Sequence, residues 1–321
     1  ISLGPVRSIV GGTVQLSGRT TGSLALGQGS VNGTTVSLLF ATGATLGTTS
    51  VTGTLGLFNI TGPVNQEPGK AITAADLGGS GNSGNITLTG SGNNLIQVSG
   101  LSTGGSIALT DDVGDLSVGS VSGSDVKIRA QGNLTQSGQI HAVGTGDAVV
   151  LKVGNYLNTA GATAMSLTGT GARWLVFSTT PSANTFGGLV SGNAAVYNTP
   201  MATNTSAIPA GNRYVFTFQP TVAIAADGMT RVYDGTANFA TPTYNGGTPP
   251  TLVNAATYGN VFTQDMMTGA LAVTAPGKHV GTYPIGLGTL SLPGYNLAFT
   301  GANASRSEEH TSELQSLACI S

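Results

Sequence analysis

Ile86-Thr87-Leu88-Thr89, Ile107-Ala108-Leu109-Thr110, Val126-Lys127-Ile128-Arg129, Val149-Val150-Leu151-Lys152 and Met165-Ser166-Leu167-Thr168 repeat one phrase, a four-residue strand-like unit bounded by Gly, Asn or Ser. Their starts lie 21, 19, 23 and 16 residues apart. An irregular period of this length predicts a parallel β-helix, in which each coil buries one side of its short strands against the next and no coil is stable alone. Function then falls on the outside of a long shaft.

Composition agrees with ordered, exported β-structure. Charged residues make up 7% of the 321-residue chain, against roughly 25% in an ordinary globular protein. Low charge and 50 Gly would also suit disorder, but 39% of the residues are hydrophobic and Val, Ile and Leu recur in phase, which disordered chains lack. The formal net charge of −2 argues against a basic surface for nucleic acid or anionic lipid. The longest apolar run, residues 36–41, is far too short to cross a bilayer. Residue 1 is Ile and no basic-then-apolar leader opens the chain, which reads as a fragment.

Residues 306–321 stand apart. The first 305 residues hold 10 basic and 10 acidic side chains, whereas the last 16 supply one Arg, three Glu and the only Cys, Cys319. Arg306-Ser307-Glu308-Glu309-His310-Thr311-Ser312-Glu313-Leu314-Gln315-Ser316 looks like a translated sequencing adapter. This tail is expected to be disordered and to contribute nothing to the fold. The remainder has no cysteine, which excludes disulfide staples and thiolate metal sites.

A second shift falls near residue 172. Three aromatic residues precede it, Phe40, Phe58 and Tyr156, and fifteen follow. Thin coils house Val, Leu and Ile, whereas a thicker sandwich core houses rings. The expected architecture is therefore all-β: a right-handed parallel β-helix over 1–172, a junction, cap and linker over 173–219, and a small immunoglobulin-like β-sandwich over 220–303 with short strands about ten residues apart. Among the earlier coils, 63–75 reads as a loop and 71–77 as a short helix beside the shaft. Gly132-Asn133 and Gly154-Asn155 open two coils 22 residues apart. The Gly permits a corner, and the repeated Asn is expected to bond its equivalent one coil away.

Arg173-Trp174-Leu175-Val176-Phe177-Ser178, with Phe186-Gly187-Gly188-Leu189 and 214–220 downstream, resembles the junction of large bacterial filamentous-haemagglutinin-like surface proteins. Val232-Tyr233-Asp234-Gly235-Thr236, followed by Gly281-Thr282-Tyr283 and Gly294-Tyr295-Asn296, is similar to their YDG module, an immunoglobulin-like repeat. The resemblance implies export by Gram-negative bacteria through a partner outer-membrane transporter, a secreted or cell-surface location, and a role in adhesion or biofilm. The sequence contains no secretion-signal region, so the export route follows from the resemblance alone.

Few residues offer chemistry. Tyr233, Asp234 and Gly235 read as a structural motif with Tyr283 and Tyr295: Asp234 accepts backbone N–H bonds, Gly235 takes the permissive dihedral, and Tyr233 packs inward with its hydroxyl bonded. A carbohydrate or cation contact at Asp234 is the sharper but weaker reading. A lone carboxylate is a poor Ca²⁺ site, since that ion takes six to eight oxygens. Asp111, Asp112 and Asp115 form the densest acidic patch and read as a solvated turn, with Lys127 and Arg129 one coil on. Acid-base cleavage of a polysaccharide would need them to converge. His141 and His279 are far apart in sequence and do not suggest a metal site. Ser and Thr are plentiful, but none stands in a G-x-S-x-G elbow with a plausible His partner, and Gly-rich stretches such as Gly78-Gly79-Ser80-Gly81 lack the Lys and helix of a phosphate loop. The expected function is thus a non-catalytic adhesin or scaffold without cofactor or metal, probing surface glycans or proteins and monomeric. The alternatives are a polysaccharide-degrading β-helix enzyme and a purely structural spacer.

Overall fold

Ile86, Ile107, Val126 and Val149 stand in register on four neighbouring parallel strands, with Leu88, Leu109, Ile128 and Leu151 in a second column beside them. All eight are buried. The computed structural model describes residues 8–19, 22–248 and 267–308. Each strand bonds through its backbone to the coil before and the coil after, so the polar main chain is satisfied along the stack while apolar side chains fill its interior. Burying each such side chain contributes about 1.5–3 kcal/mol. The first of two compact units, ending at Phe218, is this parallel β-solenoid.

One sheet of the solenoid contains Leu24–Ala25, Ala44–Leu46, Val64–Gln66, Ile86–Leu88, Ile107–Asp111, Val126–Ala130, Asp147–Val153, Arg173–Ser178 and Arg213–Phe216, in that order. We call it the short-strand sheet. The other begins with strands of 10 or 11 residues, Ser8–Ser17, Ser30–Leu39, Thr48–Phe58, Ile72–Asn82 and Asn94–Thr103. Beyond the fifth coil each long strand gives way to two three-residue strands, first Leu116–Val118 and Val121–Gly123, then Leu134–Gln136 and Ile140–Ala142. The bend is prepared earlier, since the register already shifts at Gly33/Val36, Val51/Thr54 and Leu77/Gly79.

Four of the five repeated phrases lie in the short-strand sheet; the fifth does not. Met165–Leu167 pairs with Ile140–Ala142 in the other sheet, and the residue stacked on Val149 is Trp174, 25 positions on. The spacing of 16 was the sign that a different side of the coil was being read. The loop expected over 63–75 and the helix over 71–77 are also corrected. Val64–Gln66 pairs between Ala44–Leu46 and Ile86–Leu88, and Ile72–Asn82 pairs between two long strands. Stacking on existing coils overrides the weak local preferences of this Pro- and Ala-containing segment.

The solenoid also continues past residue 172. Arg173–Ser178 pairs with Asp147–Val153 and with Arg213–Phe216. The first of the later aromatic residues, Trp174 to Phe218, therefore belong to the end of the shaft, where they fill the last coils. Trp174 and Phe186 each meet Tyr214 edge-on at 4.9 Å between centroids, and Tyr197 stacks on Phe216 at 5.4 Å. Arg173–Ser178 reads as a continuous apolar run because both its faces are covered. Trp174 and Val176 face the interior, whereas Leu175 and Phe177 pack with Val150, Val215 and Ile208 under residues 196–208.

The second unit contains the described residues from Gln219 on. Thr221–Ala225 pairs in parallel with Asn296–Thr300, and a four-stranded sheet runs Met229–Val232, Asn303–Ser307, Gly281–Gly286, Ala272–Val273. Parallel and antiparallel pairings mix here, where an immunoglobulin sandwich is built from antiparallel sheets. What the described residues form is a small β unit around Val222, Ile224, Leu271, Ile285 and Ala304. A strand expected at 251–253 lies outside the described residues, as does 309–321.

The structure differs from expectation at the boundary of 303 and at residues 306–308, the part of the expected tail that lies within the described residues. Asn303–Ser307 is one continuous strand, and the Arg306 side chain is fully buried, 3.7 Å from Asp234. Its guanidinium donates to the carbonyls of Thr236 and Asn238 and lies 4.8 Å over the Phe239 ring. Removing a buried donor leaves these acceptors without it, at about 1–3 kcal/mol. Arg306→Ala, or truncation after Ser305, is therefore expected to lower the melting transition of the second unit, whereas an unchanged calorimetric melt would show the tail to be inert.

Candidate functional site

In a strand, side chains alternate between faces, so in Val126–Ala130 the inward Val126 and Ile128 leave Lys127 and Arg129 exposed on the outer face of the short-strand sheet. Lys152 is the register neighbour of Arg129 on the next coil. Residues 201–205 overhang this face, held by a hydrogen bond of 3.0 Å from Lys152 Nζ to the Thr203 carbonyl. Between sheet and overhang lies a groove of about 440 Å³ lined by Thr89, Ala108, Thr110, Lys127, Arg129, Lys152 and residues 202–205. A second hollow of about 420 Å³ shares Arg129 and Lys152 and extends toward Gln131, Gly154 and Met201. No lining residue of either is acidic.

The nearby charges differ in their freedom. Arg173 pairs with Asp147 and donates to the carbonyls of Thr205, Ile208 and Pro209, while Arg213 donates to Ala194, Pro209 and Ala210. These bonds tie the two guanidinium groups to the backbone of residues 194 and 205–210. Partial burial disfavours ionisation of Asp147, but hydrogen bonds from Arg173 and Thr205 and the Arg173 charge outweigh it and hold the carboxyl below its ordinary value. Burial lowers Lys152, whose ammonium also faces the Phe177 ring at 4.8 Å. Arg129 pairs with Asp112 yet keeps its side chain 56% exposed. Lys127 makes no hydrogen bond among the described residues, and its charge also favours the ionised Asp147. The cations that net charge concealed are thus concentrated here, at the second and fourth positions of the repeated phrase, which the period already marked as outward.

The acidic patch does not behave as one solvated turn. Asp111 closes the Ile107–Asp111 strand fully buried, its Oδ1 accepting the Leu95 N–H at 2.9 Å and its Oδ2 without a well-formed hydrogen bond. Asp112 points outward to Arg129 and also accepts from Gly92 N–H at 3.2 Å. Asp115 accepts from both the backbone and side-chain N–H of Asn133, at 2.7 and 3.1 Å. The ladder continues as Asn155 Nδ2 donates to Asn133 Oδ1 and Thr179 Oγ1 to Asn155 Oδ1, each at 2.8 Å. The two Asn residues accordingly tie successive corners together. Asp111, Asp112 and Lys127 do not line a common groove.

The YDG motif is a turn, with one exception to expectation. Asp234 Oδ1 accepts from Thr236 N–H and Oγ1–H at 3.1 and 3.0 Å, and Gly235 has φ of 76°. Asp234 also pairs with Arg231. Tyr233, expected to pack inward, is 43% exposed. It follows the strand Met229–Val232, and its N–H donates to the Ser307 carbonyl at 2.9 Å. Tyr283 donates its hydroxyl to the His279 carbonyl at 2.7 Å, and Tyr295 is buried. Of the two histidines among the described residues, His141 lies on the shaft with Nδ1 3.0 Å from Ser166 Oγ. No group of three or more potential metal ligands occurs among the described residues. No helix among them is long and apolar enough to cross a membrane.

No family model matches the chain, and neither a curated protein nor a solved structure shows significant similarity to it. The class of protein defined here is the parallel β-solenoid.

Asp111 generates a pH signature. Burial is the largest influence on its carboxyl and raises it above the ordinary 3.8, with backbone bonds offsetting only part of the shift. The folded state then binds the proton more tightly than the unfolded state, so this group's contribution is greatest below that value and is lost as pH rises through the folded value. In Asp111→Asn the contribution is absent, and the mutant melting temperature minus that of the parent is expected to increase from pH 3 to pH 7. A constant difference across a pH series of melts would exclude the buried carboxyl as its source.

Proposed function

We propose that this chain is a non-catalytic segment of a secreted or surface-exposed bacterial exoprotein, of the filamentous-haemagglutinin-like kind, whose solenoid displays an adhesive surface. The observation that carries the reading is the dispersal of its acids. Asp111 points into the core, Asp112 is engaged by Arg129 and Asp115 caps a corner, so these three do not stand as two opposed carboxylates for hydrolysis. The shaft spends its polar groups on holding coils together and presents a long, weakly charged exterior. The YDG-like module is proposed as the immunoglobulin-like repeat of such proteins, and export through a partner outer-membrane transporter is proposed on the resemblance alone.

The rival readings separate in two assays. Beads coated with the full chain should retain bacterial or host cells above beads coated with albumin, and incubation with pectin and alginate should release no oligosaccharide. Release abolished by Asp112→Ala would favour the enzyme. Beads that retain nothing would favour the spacer.

A further inference from the structure

The groove on the short-strand sheet has the charge, the polarity and the spacing of a receptor for a repeating anion. Lys127 and Arg129 are two residues apart on one strand, about 6.6 Å at the rise of a β-strand, and Arg129 and Lys152 are neighbours across about 4.8 Å between strands. Three cations thus line one groove of a chain whose total is 11 Lys and Arg and whose net charge is −2. Lys152 uses one of its three N–H donors on Thr203, and Arg129 retains donors beyond those facing Asp112. Around them stand Thr89, Thr110 and Asn204, hydroxyl and amide groups that match sugar hydroxyls.

We propose that this groove binds a carboxylated polysaccharide, a glycan carrying uronic acid residues, with Lys127, Arg129 and Lys152 receiving successive carboxylates. The inference deepens the adhesive reading by naming a ligand class for one face of the shaft. A polysaccharide is favoured over an acidic peptide on two grounds. The strands beneath the groove are each hydrogen-bonded on both sides, Val126–Ala130 to Ile107–Asp111 and to Asp147–Val153, so no open edge is offered for a peptide to add as a strand. The apolar cluster of Val150, Leu175 and Phe177 on this face is already covered, since Ile208 and Val215 close over it, so it is not open to apolar side-chain anchors.

The test uses the full chain in titration calorimetry with polygalacturonate, alginate and hyaluronate, and with neutral dextran and poly-L-glutamate alongside. Binding to at least one carboxylated glycan is expected, weakened by about 0.5 M salt, weakened about tenfold or more by Lys127→Glu, and retained by Lys127→Arg. Lys127 is exposed and outside the core, so an unchanged melting temperature accompanies the loss. No binding to any acidic glycan, equal binding of dextran, indifference to Lys127→Glu, or tighter binding of poly-L-glutamate than of every glycan would each overturn the assignment. Beads coated with the variant chain report separately: cell retention that persists in Lys127→Glu keeps the adhesive reading while the glycan assignment falls.

Discussion

Hydrogen bonding between successive coils is the constraint from which the rest of this chain follows. A coil has no partner for its strand backbone except the coils on either side, so residues at equivalent positions are forced into columns. The interior column through Ile86, Ile107, Val126 and Val149 must stay apolar and of similar bulk, whereas a polar group that enters the stack must find a partner in the same column. Asp115, Asn133, Asn155 and Thr179 meet that demand by bonding to one another. Gln66 and Asn93 do the same at another corner, Asn93 Nδ2 donating to Gln66 Oε1 at 3.0 Å while Asn93 Oδ1 accepts the Ile72 N–H at 2.8 Å.

The same constraint explains what could be read from the sequence. Alternation of inward Val, Ile and Leu with outward polar residues is a local signal, and it located the coils and the outward positions of Lys127 and Arg129. Which side of a coil a phrase belongs to is a non-local matter, decided by what lies beneath it. Met165–Leu167 has the right pattern but stacks on Ile140–Ala142, and Ile72–Asn82 lacks a strong pattern yet becomes a strand because two coils template it. Composition misled near residue 172 because aromatic residues can close a solenoid as readily as they fill a sandwich. The ring cluster about Tyr214 does the former.

Charge was the least legible property. A total is blind to arrangement, and a net charge of −2 gave no hint that Lys127, Arg129 and Lys152 share one face. Nor did the run Asp111-Asp112 reveal that its first member is buried and its second is paired. Neighbours in a strand point to opposite sides, so adjacent acids are the pair least able to act together. Arg306 shows the converse, since a residue that looked foreign by composition fits a site made of Asp234, two carbonyls and the Phe239 ring.

Within the short-strand sheet, Val149 and Trp174 are 25 positions apart, yet the next step, from Val176 to Tyr214, spans 38. The additional residues leave the sheet after Ser178, pass outside it and return without disturbing the pairing of either strand. A solenoid can therefore lengthen one turn by insertion while its axial repeat stays intact. Such a turn can differ in length without altering the strands beneath it, and the overhang above Lys152 is built from those extra residues: a roof carried by a wall.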